Sequence, residues 1–180
     1  MQITVIRHLP TEWNKKTWLQ GRQDIKLSQV SEELVKGIED NQKVLQALAP
    51  FDLVLASTLQ RTHQTANLYG YKYEIEGLLD ELDFGPFEGI PKKKLIEKYG
   101  EVWFENPREL VLGESIRNLE KRIVMFLDKY QKYTNILAFG HGSWIRAMIS
   151  YAQYGDINQM NKIDVVNNAC ITLCIETLRD

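Results

Sequence analysis

The sequence predicts an α/β fold: a three-layer sandwich with a mostly parallel central sheet, helices on both faces and a small helical insert over the active-site end. Three observations carry that reading. Short strands rich in β-branched and large apolar residues alternate with amphipathic helical stretches, the pattern of a largely parallel sheet clothed by helices. The 180 residues suit a single domain, 1–180, able to bury a core without metals or disulfides. One interval, Gly85 to Gly113, breaks the alternation with Pro86, Pro91 and Pro107 and carries Trp103 and Phe104, so an insert of about 86–114 is expected there.

The elements follow in order. Strands are expected at Ile3–Arg7, Leu53–Ala56, Tyr73–Ile75, Ile136–Phe139 and Ile171–Ile175. Between the first two, Leu34, Ile38, Val44, Leu45 and Leu48 give Ser31 to Leu48 an apolar stripe. Further helices are expected at Leu59–Tyr69, Lys92–Tyr99, Ser115–Tyr133 and Ser143–Tyr154. In the fourth of the five, Ile116, Leu119, Ile123, Phe126, Leu127 and Tyr130 recur at intervals of mostly three and four, one face of an α-helix. Ser115 is placed to cap it.

Composition excludes several classes. With 22 basic and 24 acidic residues the net charge is -2, which gives no global attraction for nucleic acid or an anionic membrane. An anion must therefore be held by local charges. No apolar run reaches the roughly 18 residues of a membrane helix, and the opening Met1-Gln2-Ile3-Thr4-Val5-Ile6 lacks a signal peptide's basic start, so a cytoplasmic location is expected. Cys170 and Cys174 would lie on one face of a strand about 13 Å apart, too far to bridge, and are expected as buried reduced thiols.

The charged residues are informative where strands end, because ligands of open α/β sheets gather beyond the carboxyl ends. The first strand runs into Arg7-His8. The second runs into Ser57-Thr58-Leu59-Gln60-Arg61, and the fourth into Gly140-His141-Gly142-Ser143 at a helix start. Two histidines and two arginines thus converge on one rim. These types suit phosphoryl transfer: guanidinium matches phosphate oxygens, imidazole can attack phosphorus, and a second histidine with helix-start amides can stabilise the transferred group. A proton for the departing alcohol could come from Asp80, Glu81 or Asp83, and spacing alone does not choose among them.

Five motifs in order then resemble the histidine phosphatase superfamily, the phosphoglycerate-mutase-like group. Arg7-His8-Leu9-Pro10-Thr11-Glu12-Trp13-Asn14 is similar to its opening signature, and Gln20-Gly21 with Asp24 and Leu27-Ser28 to the stretch that follows. Ser57–Ala66, Leu79–Gly89 and Gly140-His141-Gly142 match the later motifs. The resemblance covers nearly the whole chain. It implies His8 as the nucleophile, Glu81 as the proton donor, and Arg7, Arg61 and His141 around the phosphoryl group. It further implies that Thr11, Asn14, Gln20, Gly21 and Gly142 touch the phosphate or the substrate beyond it, and that neither metal nor other cofactor is needed. One position departs: Leu9 stands where the family usually has glycine, so a shifted first loop or a narrower pocket is expected.

Within the resemblance, the short chain and the aromatic, weakly charged insert Val102-Trp103-Phe104-Glu105-Asn106-Pro107 favour a phosphatase with a less anionic leaving group. The alternatives are a cofactor-dependent phosphoglycerate mutase, a catalytically weakened phosphoryl-binding domain, and an enzyme acting on protein phosphohistidine. Length and the segment Asp164–Cys170 look most like the α-ribazole phosphatase branch. The expected partner is a small-molecule phosphomonoester, with a homodimer as an option and neither nucleic acid nor membrane. His63 is expected to be structural, Lys92-Lys93-Lys94 a solvated helix start, and Trp103 and Phe104 either cleft wall or packing.

Overall fold

The computed structural model describes residues 1–176. Its sheet has five strands: β1 (Gln2–Arg7), β2 (Leu53–Ala56), β3 (Glu74–Ile75), β4 (Asn135–Gly140) and β5 (Cys170–Cys174), in the order β3-β2-β4-β1-β5. The first four pair in parallel, and β5 lies antiparallel against β1. The helices are α1 (Glu12–Lys15), α2 (Glu32–Leu48), α3 (Gln60–Tyr69), α4 (Lys92–Tyr99), α5 (Glu101–Glu105), α6 (Ile116–Tyr130) and α7 (Gly142–Tyr154). Ser31 and Ser115 cap α2 and α6 by accepting from Leu34 N–H and Asn118 N–H. No helix among the described residues is long and apolar enough to cross a membrane.

Alternation along the strands divides the core in two. Ile3, Val5, Leu55, Ile136 and Ala138 face α6, α7 and the insert. Ile6, Ala56, Leu137 and Phe139 face α2 and α3 through Ile38, Leu45, Ala66 and Tyr69. The expected three layers are there. The insert joins the first layer, because Leu95, Trp103 and Leu110 share its cluster with Phe84 and Phe87.

Four details differ from expectation. The third strand is only Glu74–Ile75, and α1 and α5 are too short to show a period. Val44 is exposed, since the α2 stripe that packs centres on Ile38 and Leu45. Cys170 is half-buried and Cys174 exposed rather than buried, because β5 is an edge strand.

Candidate active site

β1 and β4 pair in register up to Arg7 opposite Gly140, and His8 N–H donates to the Gly140 carbonyl at 3.1 Å. The residues that follow each strand, His8 and His141, therefore emerge side by side, with ring centroids 5.4 Å apart. The Nδ1 of His8 lies 2.7 Å from the Leu9 carbonyl. A carbonyl can only accept, so the proton sits on Nδ1 and the lone pair on Nε2. His141 Nε2 lies 2.7 Å from Ser57 Oγ, which also contacts Thr62 Oγ1 at 3.0 Å; Nδ1 of His141 is buried without a partner among the described residues. Burial, reinforced by Arg61 and Arg7, holds His8 well below the ordinary histidine value; His141 is lowered likewise by burial, Arg61, His8 and Arg7. Both rings are neutral at pH 7.

The two arginines are held by carbonyls, not carboxylates. Arg61, on the first turn of α3, donates to Gly21 O and Gln23 O at 2.7 Å each. Arg7 donates to Val165 O at 2.5 Å. Desolvation pushes each down to about 10, so both stay protonated at neutral pH. Two glycines make room. Gly21 has φ +52°, and a Cβ there would meet Glu88 Oε1 at 2.1 Å; a Cβ on Gly142 would press on the Arg7 guanidinium at 3.1 Å.

Geometry separates the three acids. Asp80 is occupied by Thr58 N–H and Oγ1, and Asp83 accepts from Gly85 N–H beside Gly113. Neither lines the cavity, whereas Glu81 does. The Glu81 carboxyl accepts from Leu82 N–H (2.9 Å) and from Ser143 and Trp144 N–H at the start of α7 (3.1 and 3.2 Å). Its carbonyl accepts from Arg22 Nε, and Arg122 fastens the preceding carbonyls of Leu78 and Asp80.

The cavity, about 240 Å³, is lined by Arg7, His8, Asn14, Gln20, Gly21, Arg61, Glu81 and Gly142 among the residues expected from sequence. His141 stands behind His8. Thr11 stands behind Asn14 and Gln20, its hydroxyl facing their side-chain oxygens at 3.1 and 2.8 Å. Asn14 Oδ1 also accepts from Thr11 N–H and Asn167, which leaves its amide NH₂ uncommitted. Leu9 neither narrows the cavity nor carries positive φ: its side chain packs in the α2–α3 core, and its N–H donates to Thr65 Oγ1. Trp103 walls the cavity while fully packed, and Phe104 only packs. His63 contacts the Ser57 carbonyl and stacks on Tyr73, a structural role.

Several lining residues were not expected as site residues, among them Thr17, Trp18, Leu19, Lys92, Arg146 and Asn167. Lys92 is an exposed helix start as expected, and it also lines the cavity mouth, where desolvation, with Arg146 and Arg7 nearby, pushes it down to about 8. Lys92 N–H donates to Thr17 O and Leu19 N–H to Ile90 O, so pairing between the 17–19 and 90–92 segments aims it. Arg146 lies one helical turn past Gly142, a spacing that could have revealed it. Nothing local marks Asn167.

The chain matches the model of the histidine phosphatase superfamily (branch 1) over residues 3–177. It is 26% identical over 162 residues to phosphoserine phosphatase 1 of Hydrogenobacter thermophilus, covering 82% of this chain and 74% of that protein. It is 27% identical over 226 aligned positions to the 2,3-bisphosphoglycerate-dependent phosphoglycerate mutase of Buchnera aphidicola, covering 98% of this chain and 90% of the relative. An alpha-ribazole phosphatase from Shigella flexneri shares the fold, with a TM-score of 0.76 at 22% identity over 98% of this chain and 91% of that one. With paired histidines at adjacent strand ends and a family match spanning almost every residue, this chain belongs to the histidine phosphatase superfamily, branch 1.

Proposed function

We propose that the protein is a metal-independent phosphatase that hydrolyses a small phosphomonoester through a phosphohistidine on His8, with Glu81 as proton donor. The observation that carries this is the state of His8: neutral, with Nδ1–H committed to the Leu9 carbonyl, and with Nε2 free beside two arginines that have no carboxylate partner among the described residues. Nε2 attacks phosphorus, the ester P–O bond breaks, and protonated Glu81 gives its proton to the departing alcohol. As the ring gains positive charge, the Nδ1–H bond to Leu9 O strengthens. Arg7 and Arg61 balance charge on the equatorial oxygens. Water then attacks the phosphohistidine, Glu81 takes a proton from it, and His8 and inorganic phosphate are released.

The arginine pair supplies the cationic stabilisation for which other phosphatases use metals. The test is phosphate release from an aryl phosphate in the presence of a chelator. Release is expected to persist with chelator, to fall at least about 1,000-fold in His8→Ala, and to fall about 10²–10⁴-fold in Glu81→Gln. An acid-labile phosphoenzyme should be trapped in wild type and absent from His8→Ala. Loss of activity with chelator would overturn the metal-free route. Transfer of the phosphoryl group to a second hydroxyl, without release to water, would make the protein a mutase.

A further inference from the structure

Taking the phosphatase reading as its basis, we propose that Arg22 is a positioning residue for Glu81. It locks the peptide between Glu81 and Leu82 and thereby presents the transferable proton on Glu81 Oε2.

The lock is read from one planar amide. Arg22 Nε donates to the Glu81 carbonyl at 2.5 Å, and the N–H on the other side of the same peptide, that of Leu82, donates to Glu81 Oε1 at 2.9 Å. The C=O and N–H of a trans peptide are rigidly opposed, so holding one aims the other. Arg122 Nη2 reaches the same carbonyl only at 3.5 Å, near the limit of a hydrogen bond. The orientation of this peptide therefore rests on Arg22.

The two carboxyl oxygens are then unequal. Oε1 accepts from Leu82 and Trp144 N–H, which fills its two acceptor positions, whereas Oε2 accepts from Ser143 N–H alone. A proton on this carboxyl sits on Oε2. As the ester P–O bond breaks, that proton passes to the departing oxygen, and the O–H bonding pair stays on the carboxylate. Were the 81–82 peptide to turn, Oε1 would be freed and the proton divided between two oxygens that face different ways.

Arg22 also ties the two halves of the reaction together. The carbonyls on either side of it, of Gly21 and Gln23, hold Arg61 at 2.7 Å each, and its own N–H donates to Glu88 Oε1 at 2.8 Å. The phosphoryl-facing arginine and the proton donor are thus registered against one short segment, 21–23. Arg22 is not among the residues that line the cavity, so it acts through Glu81. Its guanidinium lies 3.8 Å from Asp80 and 3.6 Å from Glu114, with the side chain 36% exposed. Replacing it strands neither acid, because Glu114 keeps Arg122 at 2.6 Å and Asp80 keeps the Thr58 N–H and hydroxyl.

The experiment is a leaving-group series: p-nitrophenyl phosphate, phenyl phosphate and glycerol phosphate. Nitrophenolate departs as an anion and gains little from a proton, whereas an alkoxide needs one. Arg22→Met should lower kcat on glycerol phosphate about tenfold more than on p-nitrophenyl phosphate, with KM within about threefold of wild type. In Glu81→Gln the same substitution should remove nothing further on glycerol phosphate, since the proton it positions is gone. Arg22→Lys keeps the charge beside Asp80 and Glu114 but lacks the Nε–H donor, and should retain most of the loss. Hydrogen exchange at the Leu82 amide reads the lock without turnover, and its protection should fall about tenfold or more in Arg22→Met. If wild type hydrolyses no ester yet Leu82 protection falls in the variant, the phosphatase reading fails and the lock stands. An equal loss on every leaving group, wild-type behaviour of Arg22→Lys, or unchanged Leu82 protection in folded Arg22→Met overturns the lock.

Discussion

His8 is buried between two guanidinium groups, and its proton affinity is lowered so that the free base persists in mildly acidic water. The sign follows from the chemistry. In the proposed reaction the neutral ring is the nucleophile, and a pKa below 6.5 keeps it neutral as pH falls through 6.5. The acid limb of kcat/KM, corrected for the ester's own ionisation near 6, is therefore expected below 6.5, and a limb at or above that value would contradict the burial argument. Sequence disclosed this site because its parts lie in compact motifs: Arg7-His8, Arg61 and Gly140-His141-Gly142 each sit at a strand end. Leu9 shows the limit of motif reading. The usual glycine proved unnecessary because the bend has no positive φ and the side chain leaves toward the α2–α3 core. Asn167 shows the opposite limit, since its neighbours His8 and Asn14 lie 159 and 153 residues away.

The loop that carries Glu81 has no regular hydrogen-bonded ladder, so its shape is imposed by α6. Arg122, on that helix, donates to Leu78 and Asp80 carbonyls and pairs with Glu114 at 2.6 Å. Burial pushes the Glu114 carboxyl up, but the hydrogen bonds and charge of Arg122, with Asn118 and Asp83 N–H, outweigh it and hold it low. Replacing Arg122 with Met should cost about 3–5 kcal/mol, because Glu114 keeps its charge in a site only 10% exposed. Denaturant titration measures this, and the melting temperature should fall by roughly 6–20 °C. A carboxyl held low lends stability at neutral pH that is lost as pH falls below the ordinary value of 4.5 and through the lowered one. That acid-side loss should shrink in the variant. The amphipathic period exposed α6 in the sequence, yet Arg122 broke its apolar stripe, and nothing local says that a charged residue there faces inward.

Across the molecule, the order β3-β2-β4-β1-β5 places β1 and β4 side by side at the centre, although Gln2 and its partner Asn135 lie far apart in sequence. The alternation of strands and helices made the layers legible, whereas the antiparallel edge strand required long-range pairing that no window contains. Because α3, α7, the 17–21 segment and the insert all meet at one cavity, an anion bound there should stabilise the whole fold. Phosphate at about 100 times its Kd should add about 2.7 kcal/mol, a rise of roughly 5–10 °C in melting temperature. Arg61→Ala should abolish that rise; an equal rise in the variant would place the phosphate elsewhere.

The bond from Arg7 to the Val165 carbonyl, with Asn167 reaching back to His8 and Ile175 pairing with Met1, has a consequence for synthesis. His8 leaves the ribosome well before the residues that hold it, since Val165 lies 158 positions after Arg7 and Asn167 lies 159 after His8. In the proposed phosphatase, competence to cleave phosphate esters arrives only when these distant segments have met.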